Sequence, residues 1–175
     1  MMLGARTGAW KQSGAQIPYL RRVEYLESDG NQYIKCYAPD IVHNIFITLM
    51  SVSYVRFGNF FGKYDHCLFR RSSSTLQWNF IDYLTNFAEG EKYTIGSLEM
   101  NERADTPMFI FGGANIEGPY AEVSKPVKAR IFNVSSDQFN FIPVLDLSGR
   151  PAMYDEVSGQ FFYNQGTGEF TWGEL

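Results

Sequence analysis

The residues of this chain that could do chemistry are its carboxylates, its two histidines, its two cysteines and a large set of aromatic rings. Hydrolysis of a glycosidic bond needs two carboxyl groups roughly 5 to 10 Å apart across the scissile bond. Three acidic groups approach that requirement: Glu24, Glu27 and Asp29; Glu99, Glu102 and Asp105; and the pair Asp155-Glu156. On a strand, Glu24 and Glu27 differ by an odd number of residues and so point to opposite faces, while Asp29 belongs to a turn. The second group surrounds a loop, where carboxylates are solvated. Asp155 fits the cap of a corner, bonded to its own backbone, better than a general acid. The chain carries no Glu-x-Asp-x-x-Glu run, so a glycoside hydrolase is the distant reading and no catalytic residue is assigned.

His43 and His66 are the only histidines, and on a strand Cys67 alternates to the face opposite His66. Neither forms a His/Cys metal constellation, and Cys36 and Cys67 read as isolated thiols rather than a disulfide framework. Oxygens of Asp40, Asp65 and Asp82 could serve calcium, but without a dense acidic loop no metal site is assigned. Phe111-Gly112-Gly113-Ala114 lacks the Lys and Ser/Thr of a phosphate loop and reads as a turn. Arg70-Arg71-Ser72-Ser73-Ser74 reads as a solvated basic loop tip, and Asn133-Val134-Ser135 as a silent glycosylation sequon.

Rings are the stronger signal. With 15 Phe, 11 Tyr and 3 Trp, the chain has more rings than its interior requires. Sugar faces stack on exposed rings and protein partners bury them. Trp78, Tyr83, Tyr120 and Trp172 are the candidate ligand-binding rings. In the first 17 residues, Arg6 and Trp10 are the candidate anchors to a protein partner, because Arg and Trp are enriched at interface hot spots.

The elements that must position these groups are strands. Residues 1–17 are small and polar, interrupted by Gly4, Gly8 and Gly14, and read as an extended arm ahead of one domain over 18–175. Beyond Pro18, short alternating or aromatic segments are separated by turn signals, and no 3.6-residue apolar stripe persists. A first hairpin is expected from Val23–Leu26 and Gln32–Tyr37 around Ser28-Asp29-Gly30-Asn31. Residues 44–55 carry apolar groups on both faces, as a central strand buried on two sides would. Segments 59–64, 66–71 and 75–81 read as a meander, with Leu76, Trp78 and Phe80 alternating inward. Further strands are expected at 93–100, 107–111 and 127–134. Near the C-terminus, Pro143 favours an edge or a bulge. Gly166 and Gly168 suit positive φ, and Phe161, Tyr163 and Phe170 clamp the tail. Ten to twelve strands in one sheet tend to split into two layers, so a β-sandwich is expected.

Length and charge agree with that frame. A chain of 175 residues, 45% apolar and 19% charged, has the composition of one globular domain. A formal charge of −4 argues against a general nucleic-acid binder. No stretch is long and apolar enough to span a bilayer, and MMLGARTGAWKQSGAQ lacks the apolar core of a secretory signal. The expected site of synthesis is therefore the cytoplasm, with release in a virion or to the exterior afterwards.

Two motifs carry a family resemblance. Tyr25-Leu26-Glu27-Ser28-Asp29-Gly30-Asn31-Gln32-Tyr33-Ile34 lies near the start. Phe141-Ile142-Pro143-Val144-Leu145-Asp146, Tyr154-Asp155 and Ser158 through Phe170 close the chain. Together they resemble laminin-G-like, concanavalin A-type jelly-roll domains of gut bacterial and phage structural or surface proteins. The resemblance covers about residues 19–37 and 130–172, and Arg6-Thr7-Gly8-Ala9-Trp10 looks like a leader found before such domains. It implies an all-β, two-layer antiparallel jelly roll that binds carbohydrate or a partner protein. The expected function is a non-enzymatic interaction protein, a homo-oligomer assembled through its arm in a virion or surface appendage and displaying a face for host-surface glycan. A free-standing lectin-like module is the alternative.

Overall fold

The computed structural model describes residues 17–175, and every regular element in them is a strand. In chain order these are β1 (Arg21–Arg22), β2 (Tyr25–Asp29), β3 (Ile34–Cys36), β4 (Ile41–Ser51), β5 (Asn59–Gly62) and β6 (Cys67–Arg70). They continue with β7 (Leu76–Trp78), β8 (Ile81–Leu84), β9 (Lys92–Asn101), β10 (Met108–Ile110), β11 (Gly113–Ala114) and β12 (Val123–Ser124). The last five are β13 (Lys128–Ser135), β14 (Asn140–Leu145), β15 (Pro151–Asp155), β16 (Gln160–Phe162) and β17 (Thr171–Gly173). The seventeen strands exceed the ten to twelve expected, because eight of them are only two or three residues long.

All pairings between these strands are antiparallel. A nine-stranded sheet runs β16-β15-β14-β13-β2-β17, with β1 on β14, β4 on the other side of β13, and β9 outermost on β4. A six-stranded sheet runs β3-β10-β5-β6-β7-β8, and β11-β12 form a separate ribbon. Leu26, Ile47 and Ile131 of the larger sheet share one buried cluster with Ile34, Phe61, Leu68 and Ile110 of the smaller. The two sheets thus enclose a common core in a sandwich-like arrangement, as a pair of one-sided apolar sheets must.

Several local expectations are corrected. The turn at Ser28–Asn31 exists, with Gly30 at φ 102°, but it carries the chain from one sheet to the other instead of closing a hairpin. Glu27 already faces Arg130 on one side and Thr171 on the other, so β2 has no free edge for β3. Buried Ser28 and Gln32 hold this corner: Ser28 Oγ donates to Gln32 O at 3.0 Å, and Gln32 Nε2 donates to Thr167 O at 3.0 Å.

Strand β4 is central but buried on one face only. Val42, Ile45, Ile47 and Leu49 point inward and Phe46 is exposed; the strand ends at Ser51, short of the 44–55 expected, and Val52 and Tyr54 beyond it are exposed as well. A bulge at Asn44, φ 53°, shifts the register between Val42 and Ile45 and lets both reach the core. The segment 75–81 is not one strand. Asn79 and Phe80, at φ 48° and 63°, form a two-residue turn between β7 and β8, and Phe80 is turned out to solvent instead of inward.

Pro143 is neither at a sheet edge nor in a bulge. Its carbonyl accepts the Val23 N–H at 3.1 Å, so the side on which it lacks a donor faces the place where the neighbour of β14 changes from β13 to β1. Gly168 has the positive φ expected, 74°, but Gly166 is required for space: a Cβ there would lie 1.9 Å from Asn31 O. Phe170 is buried against Phe111 with ring centroids 4.9 Å apart, which clamps the tail as expected.

The turn between β5 and β6 is fixed from below by Lys63, whose side chain is fully buried. Its Nζ donates to the carbonyls of Ala38, Pro39 and Arg103 at 3.0, 3.1 and 3.1 Å. Burial pulls its pKa down, and the nearby carboxylates of Asp40 and Glu102 act in the opposite sense. Beside it His66 Nδ1 meets Glu102 Oε1 at 2.9 Å. Glu102 is therefore a partly buried partner of the turn, not the solvated loop acid expected from sequence. Arg70 likewise is no loop tip: as the last residue of β6 it is buried, bonded to Ser51 Oγ at 2.8 Å and packed on Tyr54 and Phe87.

Candidate functional site

The outer face of the six-stranded sheet carries a cleft of about 440 Å³, within the range of small-ligand sites. Its position follows from strand alternation. Leu68 and Leu76 enter the core, so Cys67 and Phe69 point outward. Phe69 forms part of the lining. The β11-β12 ribbon supplies the opposite wall, seated closely because Gly113 has no side chain: a Cβ there would meet Cys67 Sγ at 2.7 Å. Asn59 ties sheet to ribbon, donating from Nδ2 to Ser124 O at 3.2 Å and from its backbone N–H to Lys125 O at 3.0 Å.

Two exposed rings, Phe57 and Phe80, also line the cleft and both touch Phe69, at centroid distances of 6.3 and 5.3 Å. Both have left-handed backbones, φ 58° and 63°, and Lys125 on the ribbon side has φ 45°. For a bulky L-residue this conformation costs on the order of 1–2 kcal/mol, and such strain clusters at functional sites. Surrounding bonds sustain it: Phe57 N–H donates to Arg70 O at 2.7 Å. The result is rings held apart over a floor and open to solvent.

Polar groups complete the lining. Tyr64 and Asp65 come from the turn anchored by Lys63, and Asn115 from the ribbon, where its Oδ1 accepts the Glu122 N–H at 2.8 Å. Lys125 Nζ lies 4.9 Å from the centroid of Phe57 and the Arg56 guanidinium 5.1 Å from it. The Cys67 thiol is pushed up to about 12 by burial, which removes it as a nucleophile near neutral pH. Stacking surface, amides, one carboxylate and one cation in the lining, with Arg56 beside it on the Phe57 ring, make an arrangement suited to binding.

The rings expected from sequence do not form this site. Trp78 is half-buried against the core. Tyr83 donates its hydroxyl to Gly96 O at 2.5 Å, tying the edge strand β8 to the edge strand β9 of the other sheet. Tyr120 is 87% exposed on the loop between β11 and β12, and Trp172 lies on β17 of the larger sheet. These four are not brought together. Arg6 and Trp10 lie outside the described residues. The residues that sequence reasoning missed are Phe57, Tyr64, Phe80 and Lys125. A bulky residue beside Gly58 and the Asn79-Phe80 pair were the available signals.

Apart from Asp65, the acidic groups singled out in the sequence are engaged elsewhere. A bend at Glu24, between buried Val23 and buried Leu26, breaks strict alternation. Glu24 and Glu27 therefore share the outer face of the larger sheet rather than opposing ones, and pair with Lys92 and Arg130. Glu99 meets His43 at 3.2 Å, and Asp105 meets Arg103 at 2.5 Å. Asp155 caps its corner, accepting from the N–H groups of Asn140, Val157 and Ser158. Asp40 accepts from Ala104 N–H, Asp82 from Gln77, and Asp65 lines the cleft. No group of three or more His, Cys, Asp or Glu among the described residues could hold a metal ion. Comparison with protein-family models, with curated proteins and with solved structures finds no match to this chain.

Proposed function

We propose that this protein is a non-enzymatic interaction protein whose β-sandwich binds carbohydrate in the cleft between Phe57 and Phe80. One observation carries the reading: two solvent-facing rings are held in strained backbone conformations over a shared floor, beside Asp65 and two side-chain amides. Rings stack on the apolar faces of sugars, and carboxylates and amides take their hydroxyls. The C-terminal and Tyr25–Ile34 motifs add the proposal of a laminin-G-like jelly roll displayed by a virion or surface appendage. In that setting residues 1–17, with Arg6 and Trp10 as anchors, join it to an oligomer or larger assembly.

The test is calorimetric titration of the full chain with a panel of oligosaccharides. Saturable binding to at least one glycan is expected, weakened at least tenfold by Phe57→Ala with an unchanged circular dichroism spectrum. Absence of binding across the panel, or equal binding by the variant, overturns the carbohydrate reading. Light scattering tests the assembly reading separately: a discrete oligomer supports it and a monomer contradicts it.

A further inference from the structure

We infer that the glycan taken by this cleft is acidic, carrying a sugar carboxylate that Arg56 and Lys125 receive beside the Phe57 ring. The inference rests on the carbohydrate reading and adds the charge class of the ligand.

The argument begins with how this molecule treats a cation placed over a ring. Arg130 lies 4.5 Å from the Tyr25 ring and is ion-paired with Glu27. Lys92 lies 3.8 Å from the Phe132 ring and is paired with Glu24 at 3.6 Å. Arg70 packs on Tyr54 and Phe87 and meets Glu89 at 3.3 Å. Arg150 sits 4.3 Å from Tyr163, whose hydroxyl donates to Asp146 at 3.0 Å. At the first three places the cation is ion-paired with the carboxylate, and at the fourth Asp146, without an ion pair to the guanidinium, accepts from the ring's hydroxyl and from the Arg150 backbone N–H.

Phe57 is different. Two cations from separate loops converge on it, and among the described residues neither forms an ion pair with a carboxylate. Both are exposed, and their mutual repulsion is offset by attraction to the Phe57 ring and not by a carboxylate at ion-pair distance. Their convergence is built into the backbone. Lys125 is held at φ 45° with its carbonyl bonded to Asn59, and Phe57 at φ 58° follows Arg56 directly. In the cleft's lining Lys125 is offset by one carboxylate, Asp65, so Arg56, which lies outside the lining against the Phe57 ring, is one positive charge in excess within a chain whose overall charge is −4. A pyranose stacked on Phe57 with a ring carboxylate directed toward the cations supplies the missing counter-charge. Asp65 remains free to accept from its hydroxyls.

The experiment titrates the full chain with hexuronate- and sialate-bearing oligosaccharides, each matched with its methyl ester, and with inorganic phosphate alone. At least one acid should bind tenfold or more tightly than its ester, with the advantage shrinking as salt is raised. In the chain carrying Arg56→Gln and Lys125→Gln the acid-to-ester ratio should fall toward one. Neutral glycans bound with no acid preference in any pair would overturn this inference and leave the carbohydrate reading standing. A preference that survives the double substitution, or phosphate binding as tightly as the oligosaccharides, would also overturn it. Absence of binding to any glycan would overturn both.

Discussion

The two outer faces of this molecule use the same side-chain types to opposite ends. On the nine-stranded sheet, Tyr25 and Phe132 meet edge to face at 5.4 Å, and Arg130 and Lys92 cover their rings. Glu27 and Glu24 neutralise those cations, and Gly96 and Gly173 let Phe46 and Tyr25 lie against the backbone. Each group is matched within the molecule. On the six-stranded sheet the rings stand apart on strained backbone and two cations share a ring without a carboxylate. The difference teaches that composition does not separate a stabilising surface from a binding one. What separates them is whether the chain satisfies its own groups.

The contrast is broken most severely by removing the cleft's foundation. A Cβ at Gly62, φ 136°, would lie 2.2 Å from His66 O, a backbone atom that cannot step aside. Gly62→Ala is expected to cost about 3 kcal/mol in urea denaturation, far more than any change on the cleft's rim. A smaller effect is expected at the C-terminal corner. Burial works against the charge of Asp155, but bonds from Ser158, Asn140 and Val157 outweigh it and hold its carboxyl below the usual carboxylate range. Bonds led by the Ser148 hydroxyl hold Asp146 at about 2. Both ionised forms favour the folded state. Their contribution is complete above the unfolded carboxylate value of about 4 and is lost as pH falls toward about 2. Asp155→Asn should lower stability at pH 7 by about 1–2 kcal/mol and flatten the acid limb of a stability profile without altering glycan affinity. A loss of affinity would mean that the corner and the cleft are coupled.

The smallest effect is expected on the satisfied face. Arg130→Met breaks a partly exposed pair with Glu27 and should cost about 0.5 kcal/mol, again with affinity intact. If this variant weakened glycan binding as much as a change at Lys125, the division between the two faces would fail.

Much of the scaffold was legible in the sequence, because period-two alternation reports directly on one-sided burial. The meander of β5 through β7, the strands β9, β10 and β13, and the Asp155 cap all carry local signals. What was hidden depends on neighbours distant in the chain. Ser28-Asp29-Gly30-Asn31 reads the same whether its flanking strands pair or part, and the decision lies with β13 and β17, which occupy both sides of β2. Phe80 continues the alternation of Leu76 and Trp78, and only its positive φ reveals that it leaves the sheet. Arg70 looked solvated within a run of serines, although Ser51, Tyr54 and Phe87 enclose it. The cleft was least legible of all, since Phe57, Phe80 and Lys125 come together only when the ribbon folds over the sheet.

Phe80→Gly tests the central claim most directly. It places an Asn-Gly pair, the favoured sequence for a two-residue hairpin turn with positive φ at both positions, at a turn that already has that geometry. If strain is held there to present a ring, stability in urea should rise by about 1 kcal/mol while glycan affinity falls at least tenfold. A variant that loses stability and keeps full affinity would contradict the account.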